Sequence, residues 1–422
     1  MDVYKGCGKC WSYGLNNYDC LSHIPGGEIE PKPEPFVQED RGLPGAEFAY
    51  RQADLRSRKN NWKYILGSDD ELLSQVSEHD RIRLKRCFKQ FDKHLMEKAV
   101  HDIIEYMKSC GMEAGPRSIE DVLSKVSDSA TSKAKKWLWE DKREMVMDPM
   151  FYEYVSWYLI WSERCNWIEY HTESDKEELL PIKKIEEGKA RTFIYQGAYQ
   201  WFIDSIFLGK MNEAIENTPI CRAGWTPVAG GIDDIIAGAY EKFGKDFFVV
   251  KGDARKYDFS QWYNDVVIAQ RIAVEMYKGT EEGRHQVWLS YERQKEQVIK
   301  LLTGCVVKLG VSKTIQTSGR FDTTCGNSRR HFRILVYSLY RCGAKSIFEI
   351  MQNMMIYICS DDHLFICRRG WEPGERFKDY EFRSTCYAEG GILLKDVDDL
   401  VTCGNFQGQK WAGVRCRSQY FL

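Results

Sequence analysis

Two apolar runs separated by a three-residue acidic stretch constrain this chain more than any other feature. Met354-Met355-Ile356-Tyr357-Ile358-Cys359 and His363-Leu364-Phe365-Ile366-Cys367 are both β-prone, and only Ser360-Asp361-Asp362 lies between them. Runs this short predict strands rather than helices, so the pair reads as a β-hairpin with carboxylates at its tip. A third short run, Phe247-Phe248-Val249-Val250, ends at Gly252-Asp253. Strand ends in one sheet would bring Asp253, Asp361 and Asp362 together, and clustered carboxylates need a compensating cation. Hard oxygen ligands with room for water and phosphate favour Mg2+ or Mn2+, and two such ions about 3.5–4 Å apart suit phosphoryl transfer.

The rest of the chain alternates in texture. Apolar periodicity predicts helices over about 68–110, 148–170, 196–216, 259–278 and 322–341, and another near 374–388. Short strands are expected at 391–395 and near 399–403. Helices mixed with strands in this way imply an α+β fold with an antiparallel sheet in the C-terminal part. The 422 residues allow about two to four domains or one large multi-lobed unit. With 43% apolar and 29% charged residues the chain is not largely disordered. No apolar run approaches the ~18 residues of a membrane span, and the N-terminal residues lack the apolar stretch of a signal peptide. The net charge of −2 provides no global positive field, so nucleic-acid binding would have to come from local patches.

The 15 cysteines are spread over the whole length, which reads as reduced thiols in a cytosol rather than a secreted disulfide scaffold. Cys7, Cys10, Cys20 and His23 form two close pairs of soft ligands, a candidate structural Zn2+ site beside the alternative of coincidence in a Cys-rich chain. Pro25, Pro31, Pro33, Pro35 and Pro44 mark an extended linker or a strap across a surface.

Three segments in order resemble the motifs of viral RNA-dependent RNA polymerases. Asp253-Ala254-Arg255-Lys256-Tyr257-Asp258 has the D-x4-D form of motif A. Ser318-Gly319-Arg320-Phe321-Asp322-Thr323-Thr324-Cys325-Gly326-Asn327 fits motif B without a gap, and Ser360-Asp361-Asp362 is similar to motif C. The basic segment from Lys176 to Arg191 resembles motif F, Gly391–Lys395 motif D, Val401–Phe406 motif E, and Ser129–Ser132 a degenerate motif G. The resemblance covers about residues 115–406 and is nearest to polymerases of positive-strand RNA viruses; the T-x2-GN part of motif B is similar to flavivirus-like and tombusvirus-like enzymes. Motif C departs from the usual Gly-Asp-Asp by carrying Ser360, a form also found in nidovirus and hypovirus polymerases.

The resemblance implies a right-hand polymerase that adds NTPs to a 3′-hydroxyl on an RNA template and releases pyrophosphate. Asp253 and Asp361 would bind the metal ions, with Asp362 a weaker ligand. Asp258 and Asn327 would meet near the ribose, where a carboxylate and an amide can engage a 2′-hydroxyl. Ser318 and Gly319 would form a mobile loop that positions the nucleotide, and Thr323 would support Asp258 and Asn327 by hydrogen bonding. Lys176, Lys184, Lys189 and Arg191 would neutralise the triphosphate. Lys395 would donate a proton to the leaving pyrophosphate. His363 reads as a strand residue. The implied layout is a Cys-rich N-terminal segment and linker (1–45), fingers (46–250), a palm (251–406) with a fingers insertion at about 279–312, and the start of a truncated thumb (407–422). The implied partners are template and nascent RNA, NTPs and other viral replication proteins, in replication complexes of a host cytoplasm. A reverse-transcriptase-like polymerase and a catalytically inactive RNA-binding scaffold remain as alternatives.

Overall fold

The computed structural model describes residues 18–23, 62–63, 91–126, 138–164, 169–175, 180–181, 192–223, 231–255, 257–261, 263–295, 297–302, 305–309, 315–395 and 401–402. Its strands are β1 (Tyr18–His23), β2 (Trp62–Lys63), β3 (His171–Asp175), β4 (Leu180–Pro181), β5 (Thr192–Tyr195), β6 (Phe247–Asp253), β7 (Val298–Lys300), β8 (Cys305–Leu309), β9 (Met354–Cys359), β10 (Asp362–Arg368) and β11 (Val401–Thr402). The described residues thus form an α+β fold.

The sheet that carries the acids has the order β11-β6-β10-β9 and is antiparallel throughout. Met354, Ile356 and Ile358 alternate inward along β9, the period expected of a strand with one face on a core. That face, with Phe248, Val250 and Phe365, belongs to the main core. The opposite face carries Phe247, Val249 and Ile366, which pack with Ile235, Ala239 and Phe243 of the helix Gly231–Phe243. Both faces of the sheet are therefore covered, and its strands read as nearly continuous apolar runs for that reason.

The helix Thr323–Arg341 runs beneath this sheet. Phe332, Ile334, Leu335, Val336, Tyr337 and Leu339 are all fully buried along it. Truncating any one of the large aliphatic side chains to alanine costs about 2–5 kcal/mol. The helix Lys93–Ser109 packs on it through Met96, Val100, Ile103 and Met107, one stripe at three- and four-residue spacing. Asp92 starts that helix by accepting from the Leu95 N–H at 3.0 Å.

A second sheet has the order β1-β8-β7-β3-β5. Its pairs are antiparallel except β3 with β7. This sheet was not expected from the sequence. The helix expected over 148–170 ends at Arg164, and strand β3 follows. The expected helix near 374–388 is two helices, Glu372–Lys378 and Tyr380–Glu389. Asp379 breaks it, since its carboxylate caps the second helix by accepting from the Phe382 N–H at 2.7 Å. The strand expected at 391–395 does not form; the segment makes only one isolated bridge, Leu394 to Ala254. Among the described residues no helix is long and apolar enough to cross a membrane.

Candidate active site

The register of the sheet β11-β6-β10-β9 decides where the acids lie. Asp253 at the end of β6 stands opposite Asp362 at the start of β10, and Asp362 stands opposite Cys359 on β9. Ser360 and Asp361 are left as the two-residue turn of the hairpin. Residues directly opposed in an antiparallel pair hold their Cβ atoms about 4.5–5.5 Å apart on one face. Burial, reinforced by Asp361 and Asp253 and opposed by Lys395, holds the Asp362 carboxyl up at about 7. Asp253 Oδ1 is buried without a hydrogen-bond partner, while Oδ2 pairs with Lys395 Nζ. Among the described residues no group of three or more His, Cys, Asp or Glu side chains converges to hold a metal ion.

Lys395 reaches Asp253 because the backbone brings it there. Its N–H donates to the Asp253 carbonyl at 3.0 Å, and the Arg255 N–H donates to the Leu393 carbonyl at 2.6 Å. The segment after the helix Tyr380–Glu389 is thus stitched across the end of β6. Gly391, at φ 95°, makes the turn into it.

The residues expected at the ribose do meet. Asn327 Nδ2 lies 3.0 Å from Asp258 Oδ1. Asp258 is on the 3-10 turn Tyr257–Ser260 that follows β6, and Asn327 is on the second turn of the helix Thr323–Arg341. Tyr257 Oη donates to the Asn327 carbonyl at 2.8 Å and ties the two segments again. The expected support from Thr323 is not made. Its single hydroxyl hydrogen is shared instead between the carbonyls of Thr317 and Arg320, at 2.7 and 2.9 Å, because it stands at the first position of the helix and faces back to the loop before it.

That loop is held to β5. The Gly319 N–H donates to the Ile194 carbonyl at 2.8 Å. A Cβ at Gly319 would come within 2.7 Å of Tyr195 Cβ and 2.8 Å of its Cα, so the close approach requires glycine. Ser318 beside it is exposed. Arg320 turns inward to the fully buried Asp204, with Nε 3.4 Å from Oδ2. Gln196, Gln200 and Ser290 also bond that carboxylate.

Several residues that organise the site escaped the sequence reading. Arg330 donates to Ser260 Oγ at 3.0 Å, to the Ser260 carbonyl at 2.8 Å and to the Gly391 carbonyl at 3.2 Å. One guanidinium therefore joins the segments that carry Asp258, Asn327 and Lys395, which a fork of fixed donors is suited to do. His363 is a buried strand residue, as expected, stacked on Phe365 with ring centroids 4.6 Å apart. Burial, then His331 and Arg383, push its pKa well down. The sequence signal for these roles is the placing of Arg329, Arg330, His331 and Arg333 in the buried middle of a helix.

Lys176, Lys184, Lys189 and Arg191 lie outside the described residues, as do Cys7, Cys10, Ser129–Ser132 and all of Val401–Phe406 beyond Thr402. Cys20 and His23 lie on β1.

The family model for viral RNA-dependent RNA polymerases matches residues 167–379. The chain belongs to that family. The matched region runs from just before β3 to the end of the helix Glu372–Lys378 and contains Asp253, Asp258, the loop and helix from Ser318 to Asn327, and the turn between β9 and β10. No curated protein matches the chain.

Proposed function

We propose that this polymerase carries out RNA-templated RNA synthesis in the replication of a viral genome. The reaction joins the 3′-hydroxyl oxygen of a growing RNA to the α-phosphorus of an NTP and releases pyrophosphate. The observation that carries the reading is the opposition of Asp253 and Asp362 at one end of an antiparallel sheet, with Asp361 in the adjoining turn and the bonded pair Asp258–Asn327 in the segments that follow β6 and precede the hairpin.

The donor set fits Mg2+ or Mn2+. All donors are hard carboxylate oxygens, one of them buried and unpartnered, and a small hard cation takes one or two carboxylates and completes its shell with water and phosphate. Asp253, Asp361 and Asp362 would hold two such ions, which when bound would stabilise the charge on attacking and leaving oxygens. Asp258 and Asn327 would orient the ribose, and the loop at Ser318 and Gly319 would position the nucleotide base. Lys176, Lys184, Lys189 and Arg191 would grip the triphosphate. Lys395 would leave Asp253 and hand a proton to pyrophosphate. Its partners would be template RNA, nascent RNA, NTPs and other replication proteins of the virus, in complexes of the host cytoplasm. A Zn2+ ion at Cys7, Cys10, Cys20 and His23 is a separate structural proposal.

The test is extension of a short RNA hairpin with NTPs or dNTPs in Mg2+ or Mn2+, beside Asp253→Asn. Extension with NTPs that the variant abolishes is the expected result. Equal extension by the variant would refute the assignment of the acids, and preference for dNTPs would point to a reverse transcriptase.

A further inference from the structure

Ser360 occupies the turn between β9 and β10 with φ 58°, in the left-handed region that favours glycine. A serine persists there only where its surroundings fix it. Three residues of the helix Thr323–Arg341 do so. The Ser360 N–H donates to Ser328 Oγ at 2.9 Å, its carbonyl lies 3.0 Å from His331 Nδ1, and its hydroxyl accepts from Asn327 Nδ2 at 3.1 Å. Glycine would keep the first two bonds, which use the backbone. The third belongs to the serine side chain.

Asn327 Nδ2 carries two hydrogens. One goes to Asp258, and because an ionised carboxylate only accepts, that bond fixes which way the carboxamide faces. The other goes to Ser360. With both donors engaged, the carboxamide is locked, and Oδ1 is the atom it can offer to a ribose hydroxyl.

We propose that Ser360 is a specificity-determining positioning residue: its hydroxyl holds Asn327 so that the polymerase selects ribonucleoside over 2′-deoxyribonucleoside triphosphates. This deepens the ribose role proposed for Asp258 and Asn327 and rests on it. Without the hydroxyl, Asn327 pivots about its bond to Asp258, and the 2′-hydroxyl loses an aligned partner. A substrate that lacks the 2′-hydroxyl loses nothing.

The test is single-nucleotide extension of an RNA hairpin by the full chain, ATP against 2′-dATP opposite uridine, with the unaltered chain, Ser360→Gly and Ser360→Ala. Glycine relaxes the turn; alanine keeps the Cβ and removes only the hydroxyl. The ratio of kcat/KM for ATP over 2′-dATP is expected to fall about fivefold in both, the worth of one neutral hydrogen bond, through a higher KM for ATP. An unchanged ratio in both variants overturns the inference. So does an equal loss with both nucleotides, which would put the hydroxyl's role at the primer or the metal ions. A fall in Ser360→Gly alone would assign the effect to the backbone and also overturn it. If the unaltered chain extends with neither nucleotide, the proposed function fails and takes this inference with it; extension with a fixed ratio sinks the inference alone.

Discussion

Asp265 on the helix Tyr263–Met276 is the counter-charge for two guanidiniums on the helix that carries Asn327. Arg330 Nε lies 3.2 Å from its Oδ2, and Arg333 Nη2 bonds its Oδ1. The three side chains are 8%, 5% and 3% exposed for Asp265, Arg330 and Arg333. Asp265→Asn keeps the shape and removes the charge, so two buried cations lose their shared anion. Removing one partner from a buried pair costs about 3–5 kcal/mol, because the remaining charge stays out of water without compensation. At about 2–4 °C per kcal/mol, the melting temperature should fall by about 10 °C. Arg271 and Glu97 provide the contrast: Nη1 and Oε2 are 2.7 Å apart, yet the side chains are 48% and 50% exposed. Glu97→Gln should cost no more than about 1 kcal/mol. Scanning calorimetry and urea unfolding followed by tryptophan fluorescence would measure both. If Asp265→Asn costs no more than Glu97→Gln, the argument that burial sets the value of this ion pair is refuted.

Three further outcomes are expected. Gly319→Ala forces a Cβ against the Tyr195 backbone, so RNA extension should fall at least about tenfold as the loop lifts from β5, a misplacement effect; wild-type rates would refute the docking. His171 and His331 are buried, and burial holds both at about 4, with Arg320 adding to the effect on His171. Their folded pKa values lie below the unfolded 6.5, so this stability is fully present above about pH 6.5 and is lost as pH falls from there towards 4, up to about 3 kcal/mol for each; a urea midpoint that stays level from pH 7 to 5 would contradict it. Lys395→Met removes an ion pair whose side chains are 49% and 36% exposed, so stability should change by less than about 1 kcal/mol, while loss of the proposed proton donor should slow extension about 100-fold or more. A large fall in stability with little change in rate would make Lys395 a structural residue.

The hairpin, its acids and the helix from Thr323 were legible because each is a local pattern: a short apolar run, a turn, a periodic stripe. The five-stranded sheet was not. His171-Thr172-Glu173-Ser174-Asp175 has little β propensity, and it is a strand because β5 pairs on one side and the distant β7 on the other. The break at Asp379 was readable in principle, since an aspartate inside a helical pattern is also a capping signal. At the site, Asp258 and Asn327 could be paired from their motifs, but the hydroxyl of Ser360 on Asn327 could not, since it depends on how a turn meets a helix 33 residues away. The reassignment of Thr323 has the same origin: a side chain at the first position of a helix bonds whichever carbonyls the preceding loop presents.

The pairing of β1 with β8 sets an order of events during synthesis. Tyr18–His23 leaves the ribosome before its partner Cys305–Leu309, which follows nearly three hundred residues later. At about 5–20 residues per second, the first strand waits some 15–60 s for its place at the sheet edge. During that interval its N–H and C=O groups are open to any other strand, including the same segment of a neighbouring nascent chain. Crowded polysomes would therefore favour strand exchange between copies, and the pairing of β1 with β8 gains from synthesis that is fast and away from other copies.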